Sequence, residues 1–434
     1  MGTTIKDTIR KQGHDKNVPL YFPKIADIKA AASTIAKVAH VTPLQQSIRY
    51  SKKFNAEILL KREDLHRVRS YKIRGAFNKI SSLTQEELKQ GVVCASAGNH
   101  AQGVAFACNH LGVQGTIFMP VVTPKQKIDQ TKMFGGDWVN VVLEGDTFDD
   151  SSKAAHLFCE AQNKTFVHPF DDPKTIEGQA TVGLEIMNQS EVQIDYVFVA
   201  VGGGGLASGL CATFKELSPK TKIIGIEPEG APSMTKSIAA GQLVELPEID
   251  KFIDGAAVQK VGGYTYSICK EHLHKMITVP EGKVCQTILE LYNRDAIVVE
   301  PAGALTIAAL DSFKEEIEGK NVVCIVSGSN NDITRTAEIK ERALLYGNLK
   351  HYFIIRFPQR PGALKEFVAD ILGPDDDITH FEYSKKSSRE NAPAVVGIEL
   401  KSPEDLEPLM QRMKANNFFG DYLNDKPDLF QYLI

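Results

Sequence analysis

Tyr196-Val197-Phe198-Val199-Ala200-Val201, followed at once by Gly202-Gly203-Gly204-Gly205-Leu206, is the stretch on which the fold turns. An unbroken apolar run reads as a strand buried on both faces, the mark of a parallel sheet. The glycines lead into an amphipathic stretch, Ala207–Leu217, that reads as a helix. Strand, glycine turn and helix together make the first half of a βαβ unit. With no Cβ atoms in the way, several backbone N–H groups of the turn can converge on one anion, and the helix adds its positive end. The turn therefore reads as a phosphate cradle, although one glycine would suffice for a tight strand-to-helix turn.

The same texture extends outward from this stretch. Strand-like runs occur at Glu57–Leu60, Val92–Ala95, Thr116–Met119, Trp138–Leu143, Ile223–Ile226 and Val322–Val326. Helix-like stretches separate them at Asn99–Leu111, Lys125–Phe134, Phe148–Ala161 and Thr175–Asn188. The alternation predicts an α/β region with largely parallel sheets, whose ligands lie at the carboxyl ends of the strands. After Tyr346-Gly347-Asn348 the pattern changes. His351–Phe357, Ile378–Tyr383, Ala394–Leu400 and Leu429–Ile434 read as strands, Ala363–Leu372 and Pro403–Asn416 as helices. That order, βαββαβ, is ferredoxin-like. The expected division is 1–346 for one large two-lobed α/β region and 347–434 for one small module.

Composition fits such an architecture and removes others. The 434 residues are 43% hydrophobic and 24% charged, which excludes disordered, collagen-like and coiled-coil chains. Lys+Arg 50 against Asp+Glu 54 gives a charge of −4, too balanced for a nucleic-acid partner. Met1–Lys16 carries no apolar leader, and no apolar run approaches the ~20 residues that span a bilayer, so a cytoplasmic protein is expected. Cys94, Cys108, Cys159, Cys211, Cys269, Cys285 and Cys324 form no CxxC pair, and all precede the small module. They read as reduced packing residues rather than a disulfide framework or a metal site.

Two further segments carry chemistry. Ala95-Ser96-Ala97-Gly98-Asn99-His100 places a hydroxyl and free amides at a helix start, suited to a carboxylate or equally to an ordinary helix cap. His100 reads as structural. Ser70-Tyr71-Lys72-Ile73-Arg74-Gly75-Ala76 sets a lysine between an aromatic and an aliphatic residue, where desolvation would free its lone pair for Schiff-base chemistry. One signal points elsewhere. Gly202-x-Gly204-x-x-Ala207 also fits a dinucleotide fingerprint, with Glu227 near the spacing of a ribose-binding acid, so a nicotinamide-dependent oxidoreductase is a competing reading.

Ser70-x-Lys72-x-Arg74-Gly75-Ala76, Ser96-Ala97-Gly98-Asn99-His100-Ala101-Gln102-Gly103 and the tetraglycine turn stand here in that order, followed by Glu300-Pro301-Ala302-Gly303-Ala304 and Val326-Ser327-Gly328-Ser329-Asn330. Together they resemble the pyridoxal-phosphate β-family (fold type II), and within it the biosynthetic threonine dehydratases, with serine dehydratases and serine racemases as near relatives. The tail, from Phe357-Pro358-Gln359-Arg360-Pro361-Gly362-Ala363-Leu364, resembles one ACT-like regulatory domain. The resemblance implies threonine ammonia-lyase activity, turning L-threonine into 2-oxobutanoate and ammonia as the first step of isoleucine biosynthesis, with L-serine as the substrate of the near relatives. It implies pyridoxal 5'-phosphate held by Lys72 as a Schiff base, with Asn99 on its phenolic oxygen. Gly202, Gly203, Gly204, Gly205 and Leu206 would hold its phosphate, and Ser327 would face its ring nitrogen. Ser96, Ala97, Gly98 and Asn99 would bind the substrate carboxylate. It further implies isoleucine or valine as effectors of the small module and a homo-oligomer, dimer or tetramer. No resident metal is expected. The chain departs from the family pattern at Ser329, where a second glycine is common.

Overall fold

The computed structural model describes residues 21–383, 391–426 and 429–430. It divides into two compact units, 1–332 and 333–434. The expectation for Met1–Lys16 lies outside the described residues.

Among its described residues the first unit holds ten strands: β1 Leu44–Gln46, β2 Glu57–Arg62, β3 Val92–Ala95, β4 Gly115–Met119, β5 Val139–Leu143, β6 Thr165–Phe166, β7 Tyr196–Ala200, β8 Lys222–Pro228, β9 Lys275–Val279 and β10 Asn321–Val326. They form two sheets. The larger has the order β1-β2-β10-β7-β8-β9, parallel except for the edge pair β1–β2. The smaller, β5-β4-β3-β6, is parallel throughout. Val197, Val199, Val323 and Ile325 fill the core of one lobe, and Val92, Cys94, Ile117 and Met119 that of the other. These are the residues whose unbroken apolar runs pointed to two-sided burial. All seven cysteines are free and buried, and burial pushes the Cys94, Cys211 and Cys324 thiols upward, as inert packing requires.

Three turns leave carboxyl ends of strands: the glycine turn after β7, the Ser96 turn after β3, and the Ser327 turn after β10. Because β10 lies beside β7, the Ser327 turn and the glycine turn start from adjacent strands. Strands β1, β6 and β9 went unread in the sequence. The first two span only three and two residues, and β9 is half exposed, so none shows a long apolar run.

The second unit is an antiparallel sheet of β11 Lys350–Pro358, β12 Asp377–Tyr383, β13 Asn391–Glu399 and β14 Phe419–Tyr422, in the order β12-β13-β11-β14. Its helices run over Ala363–Glu366, continued by a π turn Phe367–Ile371, and over Leu406–Ala415. They cover one sheet face through Phe353, Phe367, Ile398, Leu409 and Met413. The arrangement is ferredoxin-like, but its last strand is not the expected one. Leu429 and Phe430 are helical, and 431–434 lie outside the described residues. The last strand, on the side of β11 away from β13, is Phe419–Tyr422, short and carrying Gly420 and Asp421, and it is anchored by buried Phe418 and Leu423. The helix Thr336–Tyr346 groups with this unit: Glu341 takes hydrogen bonds from Lys350 at 2.6 Å and from the Tyr352 hydroxyl at 2.6 Å.

Among the described residues, no helix is long and apolar enough to cross a membrane, and no cluster of three His, Cys, Asp or Glu could hold a metal.

Candidate active site

Lys72 is the first residue of the helix Lys72–Ser81. Two ties fix where that helix begins. The Tyr71 N–H donates to the Ser327 carbonyl at 3.2 Å, and Ser70 bridges to Gly328. Inside the helix, the buried guanidinium of Arg74 donates to both oxygens of Glu63, at 2.7 and 2.8 Å, and to both oxygens of Glu185, at 2.6 and 2.9 Å. Two planar bidentate contacts on a fully buried arginine leave the helix start little freedom to turn. Lys61 joins the same network through Glu185 at 2.5 Å.

The Lys72 Nζ donates to the Pro169 carbonyl at 2.9 Å. Desolvation pulls its ammonium down to about 8, while the charge of Glu300 acts in the opposite sense. A neutral amine is thus accessible near neutral pH, as nucleophilic and basic work demands. The next residue, Phe170, lies against the glycine turn: a Cβ on Gly203 would fall on its ring, and one on Gly205 would stand 3.0 Å from its Cβ. Gly204 holds φ at +92°, a region that side chains disfavour. Thr265 fixes the turn from behind, its hydroxyl donating to the Gly203 carbonyl at 2.6 Å. The helix Gly205–Leu217 then begins with no side-chain cap, so its first N–H groups stay available. Leu206 is buried and can offer the cradle only its amide.

In the lobe of the smaller sheet, the helix Asn99–Leu111 also begins without a side-chain cap, behind Gly98. The Ser96 hydroxyl accepts from the Gly98 N–H at 3.2 Å, which holds the turn in shape. Asn99 joins this turn to the opposite lobe. Its Nδ2 donates to both oxygens of Glu300, at 2.7 and 3.0 Å, and its Oδ1 accepts from Asn330 at 2.6 Å. Ser327 is 3% exposed, and its hydroxyl has no protein partner among the described residues. Ser329 uses its extra side chain to donate to the Asp64 carbonyl at 3.2 Å.

The structure therefore ties these segments together within the first unit: Pro169 and Phe170 join Lys72 to the glycine turn, Tyr71 joins its helix to Ser327, and Glu300 and Asn330 join Asn99 to the turn that carries Ser327. It excludes two residues. His100 is buried, donates to the Val167 carbonyl at 2.8 Å, and is held neutral, down to about 3, by desolvation and the Lys72 charge. Glu227 does not face the glycine turn as an acid free for a ribose. It accepts from the Met234 and Thr235 N–H groups, at 2.7 and 2.8 Å, and from the Thr235 hydroxyl at 2.7 Å. It caps the helix Ser233–Ala240, so the dinucleotide reading loses its acid.

Four residues at the site carry no role in the sequence reading: Phe170, Arg74, Glu300 and Asn330. Arg74, Glu300 and Asn330 all sit inside the quoted motifs, and an acid placed before a proline at a helix start was a visible signal for Glu300. The residues present fit pyridoxal phosphate. A glycine-only turn ends in an uncapped helix and suits a phosphate. A desolvated lysine suits the aldehyde, and a buried hydroxyl without a partner suits a ring nitrogen.

Comparison with known proteins bears on the same residues. Residues 35–328 match the family of pyridoxal-phosphate dependent enzymes, and 341–433 match the C-terminal regulatory domain of threonine dehydratase. The chain is 55% identical to the L-threonine dehydratase biosynthetic IlvA of Halalkalibacterium halodurans, over 95% of this chain and 99% of that protein. It is 52% identical to the protein of that name from Bacillus subtilis, over 95% and 97%. Among solved structures, the processed form of threonine deaminase isoform 2 from Solanum lycopersicum is 38% identical, with a TM-score of 0.71, over 78% of this chain and 95% of that one. Maize serine racemase is 30% identical, with a TM-score of 0.69, over 75% and 99%.

Proposed function

Because the chain belongs to the pyridoxal-phosphate dependent enzymes and, within them, to the biosynthetic L-threonine dehydratases, we propose a division of labour among its residues for the deamination of L-threonine to 2-oxobutanoate and ammonia. Bound pyridoxal phosphate supplies the electron sink that makes the α-proton of threonine acidic. Lys72 would hold the cofactor through Nζ and would serve there as the base for the α-proton, a task its depressed ammonium pKa of about 8 allows. Gly202, Gly203, Gly204 and Gly205, with the amide of Leu206, bind the phosphate. Asn99 meets the phenolic oxygen. Ser327 would face the ring nitrogen with a hydroxyl rather than a carboxylate. Ser96, Ala97, Gly98 and Asn99 bind the substrate carboxylate through amides and a hydroxyl.

One observation carries this reading. The Pro169 carbonyl takes the Lys72 amine while the adjacent Phe170 packs the glycine turn, so lysine and cradle are joined by two consecutive residues. Lys72→Ala is expected to lower turnover by at least about 10⁴-fold and to remove the visible absorbance of the bound cofactor. Retention of both would overturn the assignment. L-serine, which lacks only the methyl group, is expected to turn over as well.

Residues 1–346 are assigned the catalytic role and 347–434 the regulatory one, with isoleucine or valine as effectors. The support is the match of the tail to a threonine dehydratase regulatory domain and its ferredoxin-like sheet. Isoleucine is expected to shift the threonine saturation curve of the full chain. A chain ending at Asp332, which removes the whole second unit, should lose that shift; equal inhibition of the shortened chain would place the sensor elsewhere. The assembly is proposed to be a homodimer or homotetramer in the cytoplasm.

A further inference from the structure

Glu300 stands at the start of the helix Pro301–Ala308 and is 5% exposed. Its backbone N–H donates to the Gly328 carbonyl at 3.1 Å, and a Cβ on Gly328 would fall on its carboxyl, so the side chain presses on the residue after Ser327. The carboxyl reaches over to the other lobe and takes the Asn99 amide nitrogen at both oxygens. Asn330 holds the far end of that amide while also donating to the Val68 carbonyl at 2.9 Å. The Asn99 side chain is thus clamped at nitrogen and oxygen, and what it can still offer a ligand is an N–H. Glu300 is also the charge that opposes desolvation at Lys72. The other groups acting on it or feeling it are Asp254, Lys127 and the Tyr71 hydroxyl, with Asp254 and Lys127 paired at 2.5 Å. Burial raises the carboxyl to about 7, so it is charged at pH 8 and above.

We propose that Glu300 is a positioning residue that acts through Asn99: it aims an Asn99 N–H at the cofactor's phenolic oxygen and sets a carboxylate one hydrogen bond behind it. A negative charge there raises the affinity for the proton shared between that oxygen and the Lys72 nitrogen. The inference rests on the assignment of Asn99 to the phenolic oxygen.

The test is a pH titration of the visible spectrum of the holoenzyme, with circular dichroism as the fold control. In Glu300→Gln, the pH at which half of the long-wavelength absorbance is lost should fall by at least about one unit, a ten-fold change in proton affinity. Glu300→Asp, which keeps the charge, should recover at least half of that shift. The kcat of Glu300→Gln should fall by about ten-fold or more with KM for threonine changed by less than about three-fold. Asn99→Ala, which removes the N–H donated to that oxygen, should raise the midpoint, and adding Glu300→Gln to it should change nothing further. An unmoved midpoint in Glu300→Gln beside a moved one in Asn99→Ala overturns the inference and leaves the Asn99 assignment standing. An unmoved midpoint in Asn99→Ala removes that assignment and the inference with it. Additive shifts in the double variant overturn action through Asn99. Should Glu300→Gln fail to fold, Asn330→Ala frees the other end of the amide and must shift the midpoint as well; no change there overturns the clamp.

Discussion

Two helices begin close together in the first unit and treat their leading N–H groups in opposite ways. The helix Ser233–Ala240 has its terminus filled from within, by the buried carboxyl of Glu227. The helix Gly205–Leu217 follows a turn that contains no side chain at all and has no cap. Met234 of the first helix approaches Gly204 of the second, so the two termini are neighbours under nearly the same conditions. A helix start whose N–H groups are satisfied by the protein cannot also serve a ligand, whereas one left open by glycines is an anion site. The difference separates a structural terminus from a functional one. It also shows why Glu227, at a promising distance in sequence from a glycine turn, serves the protein rather than a ribose.

The contrast can be broken at the open terminus first. Gly203→Ala puts a Cβ onto the Phe170 ring. Overpacking of this kind costs about 1–3 kcal/mol, so the affinity for pyridoxal phosphate should fall by roughly 5- to 150-fold in a titration of the stripped protein. Unchanged affinity would mean that the turn is not the cradle. At the filled terminus the effect should be smaller and of another kind. Glu227→Ala removes a helix cap worth about 1–2 kcal/mol and should lower the midpoint of thermal unfolding while the visible band of the bound cofactor stays in place. A lost band with an unchanged melt would reverse the two roles. The smallest effect sharpens the comparison without touching the cofactor. Inorganic phosphate at about ten times its dissociation constant should stabilise the cofactor-free protein by about 1.4 kcal/mol. Glu227→Ala should keep that increment and Gly203→Ala should lose it.

Much of the fold was legible because its signals are local. The apolar runs Val92–Ala95, Tyr196–Ala200 and Asn321–Val326 announce two-sided burial, and the glycines mark the turn that follows β7. The short edge strands were not legible, since Leu44–Gln46 is held by pairing with β2 and not by burial of its own side chains. The last strand was misplaced for a similar reason. Phe419–Tyr422 carries a glycine and an aspartate, while the more apolar Leu429–Ile434 drew the reading away from it. At the site, the turns themselves were visible but the ties between them were not. Asn99 and Glu300 are 201 positions apart, and the contact depends on how two lobes face each other, which no spacing rule contains. The same holds for Phe170, an ordinary aromatic in sequence that becomes the wall behind Gly203. Arg74 was quoted as part of a motif, yet its work, holding the lysine-bearing helix between Glu63 and Glu185, appears only in three dimensions.

The central claim is that Lys72 carries pyridoxal phosphate whose phosphate rests in the 202–206 turn. The most direct measurement is borohydride reduction of the purified holoenzyme, followed by peptide mass spectrometry. The account predicts a phosphopyridoxyl group on Lys72 and on no other lysine, with the label reduced in Gly203→Ala at cofactor concentrations that just saturate the unaltered protein. Labelling of another lysine, such as Lys61 or Lys127, or no labelling of a protein that deaminates threonine, would contradict it.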